Sequence, residues 1–220
     1  MITPDINAAA IKAMETLVKH RVCCAPIDPL PILKSMPGVL VLTFAEMALH
    51  MGIDRQNVLT AFRTDNRDVV TSVSSVGGKL RYFVAYNQRL PFYMLQRAMA
   101  RELGHIVLRH DGSKPEDVRA TEALYFARHL LCPRPLIKAL QDAIQPLTIE
   151  TVGNVTGCYE RCLLGIKKTP GASVPPELNR LVREQMADYI DNFLTCRGIL
   201  TDNDISGVAD FGTFMDGYQE

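Results

Sequence analysis

Within the stretch AMARELGHIVLRH, residues 98–110, Glu102 and His105 follow directly on Arg101. A helix sets positions i and i+4 on one face, about 40° apart around its axis. Two histidines at that spacing reach one zinc ion, and a glutamate just after the first touches the water the metal holds. Zinc lowers the pKa of that water to about 7, and the carboxylate takes its proton during attack on a peptide carbonyl. This chain offers Glu102 as the base and His105 as the second ligand, with Arg101 where the first histidine would stand. Glu122, at the start of the following helix, is the candidate third ligand. It lies beside the apolar stripe Ala123, Phe126, Ala127, Leu130 and Leu131, where a carboxylate needs a partner.

Arginine does not complete that set. It stays protonated, offers five donors and no lone pair, and repels a dication. The expectation is that its guanidinium stands in the metal's place and donates a forked pair of hydrogen bonds to Glu122. The alternative has Arg101 turned to solvent. Neither nearby histidine replaces the missing ligand. His110, five residues after His105, would point about 140° away on a continuing helix, and His129 sits about 10 Å along the helix from Glu122.

The elements that must position these groups follow from pattern and punctuation. Ile6, Ile11, Met14, Leu17 and Val18 mark a helix over 5–22, which the prolines of CAPIDPLP, residues 24–31, break. A short helix at 31–36, a strand at 38–44 and a helical stretch at 45–62 come next. Two β-rich runs, 68–75 and 79–87, flank Gly77-Gly78, a hairpin signal. Pro91 opens a helix over 91–109, a turn-rich loop covers 111–117, and a second helix spans 117–131. Helices at 135–143, at 148–167 as a short pair, and at 175–197 complete the ordered part, and the acidic tail carries no strong pattern.

Lys+Arg and Asp+Glu both number 24, so total charge favours neither nucleic acid nor an anionic membrane. No apolar run approaches the roughly 18–20 residues a membrane helix needs, and the start lacks a signal-peptide layout, which makes a cytoplasmic location the expectation. The six cysteines are then free thiols; Cys158 and Cys162 lie one turn apart without a second pair to make a metal site, and Cys23-Cys24 reads as apolar filler. Tyr82, Tyr86 and Tyr93 flank the site and suit cross-strand packing or an oxyanion.

RAMARELGHIVLRHDG followed by ATEALYFARHLLCPRPLI resembles the ImmA/IrrE family of metallopeptidases, whose pattern joins an AHELGH-type helix to an E-A-x-x-F-A-x-x-L-L-x-P helix. The second motif is matched from Glu122 to Pro133 and the first at every position except Arg101. Similarity is clear over about residues 80–137 and weaker from 25 and on to about 167.

The resemblance implies an α+β, mostly helical zincin-like peptidase core at 1–145 with a small antiparallel sheet, a C-terminal helical module at 146–200 and a tail at 201–220. It also implies Zn2+ as cofactor and a role in cleaving or controlling transcriptional repressors of phage or mobile elements. Three functions follow. One is a protein with a degenerate zinc site that holds a repressor or peptide along Tyr82, Phe83, Val84, Ala85 and Tyr86 as an edge strand. Another is a zinc endopeptidase with an unusual ligand set, using Glu102. The third is a DNA-binding regulator acting through 147–168, although only Arg161, Lys167 and Lys168 are basic there.

Overall fold

The first helix, α1 (Ile6–Lys19), starts where the Asp5 carboxylate accepts the Ala8 N–H, and it buries Ala9, Ala13, Met14 and Leu17. The computed structural model of the protein describes residues 2–61, 69–158, 160, 163–164 and 171–200. Asp28 caps the short helix α2 (Pro29–Ser35), two residues earlier than its expected start. The strand β1 (Val39–Thr43) runs into α3 (Phe44–Met51) through a capping box between Thr43 and Glu46. Gly52, at φ +65°, ends α3, so the helical stretch expected as one piece is two, with α4 at Arg55–Ala61.

β2 (Val69–Val76) and β3 (Lys79–Tyr86) form the expected hairpin, with both turn glycines at positive φ. The sheet order is β1-β3-β2, and β1 pairs with β3 in parallel, in the register Val39↔Tyr82 to Thr43↔Tyr86. The sheet is therefore mixed rather than purely antiparallel. Its parallel pair is closed by a crossover through α3, α4 and β2, which local pattern does not reveal.

The two faces of the sheet serve two cores. Val41, Val84 and Tyr86 face a large core with α1, α5 (Phe92–Val107) and α6 (Glu116–Leu131), while Leu42, Val70, Phe83 and Ala85 face a small one with α3 and α4. The large core also takes Leu136, Ile137 and Leu140 of α7 (Arg134–Ala143), Val152 and Val155 of α8 (Ile149–Thr156), Val182 of α9 (Pro176–Gln185) and Ile190 of α10 (Ala187–Leu200). No helix among the described residues is long and apolar enough to cross a membrane.

Packing of α5 on α6 sets the scale of the site. A Cβ on Gly104 would come within 3.0 Å of the Phe126 ring and 3.2 Å of the Ala123 backbone. The glycine thus lets the two helices approach more closely than any side chain allows. Gln96, buried on the same helix, donates through Nε2 to the carbonyls of Ile27 and Thr156 and fastens α5 to two distant segments.

Candidate functional site

α5 ends in a turn that its sequence does not announce. The Arg109 N–H reaches the Ile106 carbonyl and the His110 N–H reaches the His105 carbonyl, the two bonds of a Schellman cap. Its left-handed position is filled by Arg109 at φ +54° rather than by glycine. The chain reverses there, and His110 comes back against the helix it has just left. The 140° separation expected for a continuing helix does not apply, because α5 stops at Val107.

His110 consequently joins the site. Its Nδ1 lies 2.8 Å from Nδ1 of His105, and its Nε2 lies 2.9 Å from the Glu122 carboxylate. The Glu122 carboxylate, 1% exposed, also takes Lys114 Nζ at 2.8 Å on each oxygen and the Asp5 N–H at 2.9 Å. Burial alone would raise the Glu122 pKa; the Asp5 N–H, Lys114 and His110 outweigh it and hold the group below the usual carboxylate range. The forked cation on Glu122 is therefore the Lys114 ammonium, and the expectation that Arg101 would play that part is overturned.

The hydrogen bonds fix the tautomers. An ionised Glu122 only accepts, so His110 donates from Nε2 and presents a lone pair at Nδ1. His105 must then donate from Nδ1, which leaves His105 Nε2 with the one uncommitted lone pair of the trio. Burial lowers the pKa of His105 to about 4, with His110, Arg101 and Arg119 acting in the same direction, so it is neutral near pH 7. Burial also lowers that of His110 against the pull of Glu122.

Arg101 and Glu102 form the other end of the site. Arg101 is half-buried and its Nε is buried without a hydrogen-bond partner among the described residues. Glu102 sits beside Thr71 of β2, whose hydroxyl stays outside hydrogen-bond geometry; burial raises the Glu102 pKa, opposed by Thr71 and Arg101.

These donors do not suit a zinc ion. Arg101 has no lone pair, both nitrogens of His110 serve two different partners, and both oxygens of Glu122 already hold an ammonium. Only His105 Nε2 is open. No three His, Cys, Asp or Glu side chains among the described residues are arranged to hold a metal.

Other expected positions fall elsewhere. Tyr82 to Tyr86 lie on the central strand, with their backbone paired to β1 on one side and β2 on the other, so they offer no edge. Val84 and Ala85 are fully buried. The outer strand on the side of Glu102 is β2. Tyr93 stands exposed on α5, and His129 is buried on α6 away from the cluster. Cys23 and Cys24 are exposed rather than filler, while Cys158 packs its sulfur 3.6 Å from that of Cys132. Cys162, Arg161, Lys167 and Lys168 lie outside the described residues, and with them the basic end of the helix-turn-helix reading.

The sequence reading set His110 aside and did not single out Lys114, and only the closeness of HDGSK to the two motifs pointed to them. On the far side of Lys114 and Glu122 a cleft of about 600 Å³ runs between α1 and the end of α5.

No curated protein matches the chain. The family model of the IrrE N-terminal-like domain matches residues 53–150, a span that holds β2, β3, α5, α6 and every side chain of the cluster but not the Asp5 N–H. The chain thus carries an IrrE N-terminal-like domain over residues 53–150.

Proposed function

We propose that this chain is a metallopeptidase-fold regulator whose zinc site has been replaced by an internal cation, and that it controls a transcriptional repressor by binding rather than by cleavage. The observation that carries this reading is Lys114 Nζ at 2.8 Å from both oxygens of the Glu122 carboxylate. A single positive charge from the loop neutralises the group that a metal would otherwise neutralise. Glu102 then has no metal-bound water to deprotonate, and its raised pKa suits a buried acid more than a base. A partner segment in extended form would add to the outer edge of β2, which runs past Glu102.

The competing reading is a zinc endopeptidase with His105, His110 and Glu122 as an altered ligand set. It draws on the 2.8 Å approach of the two imidazoles. It requires His110 to turn and Lys114 to leave Glu122. Elemental analysis of protein purified without chelator, together with incubation of a candidate repressor, tests both. Substoichiometric zinc and an intact repressor that co-elutes with the protein are expected. One tightly bound zinc per chain with cleavage would overturn the binding-only function.

A further inference from the structure

Two thiols in the large core take no part in the site described above. Cys132 directly follows α6, and Cys158 directly follows the left-handed Gly157 that ends α8. Their sulfurs lie 3.6 Å apart, the residues are 3% and 6% exposed, and neither is in a disulfide. The contact spans 26 positions of chain, with Cys132 inside the stretch the family model matches and Cys158 beyond it. Other bonds hold the same place. The Cys158 N–H donates to the Thr156 hydroxyl, and the Thr156 carbonyl accepts from the Gln96 side chain of α5. Where the ends of α6 and α8 meet, two sulfurs therefore stand in contact, against about 2 Å for a disulfide.

We propose that Cys132 and Cys158 are an oxidation site, which hydrogen peroxide converts to a disulfide that clamps the segment after α8 onto the end of α6. One sulfur attacks a peroxide oxygen; an S–O bond forms, the O–O bond breaks, and the departing hydroxide leaves as water with the thiol proton. The other sulfur then attacks the sulfenic sulfur; the S–S bond forms as the S–O bond breaks, and a second water leaves. The two thiols lose two electrons and two protons, and the peroxide takes both. Burial slows the first step and admits only a water-sized oxidant through local opening. Contact speeds the second, because the resolving sulfur already touches its target.

The test uses the full chain, as wild type and with the exposed thiols removed by Cys23→Ser, Cys24→Ser and Cys196→Ser. Each protein is treated with hydrogen peroxide, quenched with catalase, alkylated and mapped by mass spectrometry without reductant. Expected are a Cys132–Cys158 cross-linked peptide, the loss of two hydrogen atoms at that pair, an alkylated Cys162, and full reversal by dithiothreitol. Oxidation of the variant with the exposed thiols removed should also raise Tm by about 5–10 °C, since the bond closes a long loop of the unfolded chain. Adding Cys158→Ala should abolish both the cross-link and the rise, each read against that variant's own reduced form.

Four results would overturn the proposal. One is full alkylation of Cys132 and Cys158 after peroxide. Another is a sulfinic acid at either position, which would mean that the neighbouring sulfur does not resolve the first oxidation. The third is a bond from Cys158 to Cys162, or a Cys132–Cys158 bond that forms only in urea. The last is a cross-link that leaves Tm unchanged or lowers it, since a clamp must hold the native packing.

Discussion

The two carboxylates of the helix pair have opposite surroundings. Glu122 is saturated: Lys114, His110 and the Asp5 N–H supply donors to both oxygens. On Glu102 only Thr71 and Arg101 act against burial, and the Arg101 Nε is buried with no acceptor among the described residues. One end of the site has solved its electrostatics within the chain, and the other has not. Structural demand accounts for the first end; the second keeps a buried donor with no acceptor among the described residues.

The strongest way to break this contrast is to restore the metal chemistry. Arg101→His alone should stay nearly free of zinc, because Lys114 still holds Glu122. Arg101→His with Lys114→Met should bind zinc near stoichiometry, read by elemental analysis and by a rise in Tm on zinc addition. Equal zinc in the two variants would show that Lys114 does not hold the site closed.

Next in size is Glu122→Gln, which leaves an ammonium, an imidazole and a backbone N–H facing a neutral amide. Denaturant unfolding should show a loss of about 3 kcal/mol. Glu102→Gln, at the unsatisfied end, should cost much less or stabilise.

Acid sharpens the comparison. His129 is 4% exposed and its pKa is lowered to about 4, burial being the main cause. The unfolded chain, with an ordinary histidine pKa near 6.5, binds the proton first, so stability is whole above that value and falls as pH drops toward 4. The loss amounts to about 3 kcal/mol. His129→Gln should remove its share of that loss and leave the share of His105, whose pKa is likewise lowered to about 4, and below it that of Glu122. Its lowered pKa gives stability that is present above the ordinary carboxylate range and fades below it.

Gly104→Ala pushes α5 and α6 apart through Ala123 and Phe126. It should cost about 1–3 kcal/mol, measured by unfolding, and loosen both ends of the site together. Arg109→Gly is the mildest change: it relieves a left-handed arginine while holding His110 in place, and should raise stability by at most about 1 kcal/mol in the same assay.

Periodic apolar stripes and Gly77-Gly78 made most helices and the hairpin legible in the sequence, because those signals are local. The partnership of β1 with β3 was not, since it joins Val39 to Tyr82 across two helices and a strand. In the site, Glu102, His105 and Glu122 could be read from spacing and from the two motifs. His110 could not. Its position depends on a Schellman turn whose usual glycine is absent, so nothing at Arg109 marks the reversal. Lys114 was hidden for a similar reason: a lysine in a polar loop usually reads as a solvent contact, and 41% of its side chain is in fact exposed. Only the fold shows that its ammonium turns inward.

The bond from the Asp5 N–H to Glu122 crosses 117 positions of chain. It makes the opening of the first helix a mechanical reporter of the pocket. Anything that withdraws or reorients that carboxylate also lets go of the peptide unit where α1 begins, and a signal created between two helices can travel outward as a change in how a third is moored.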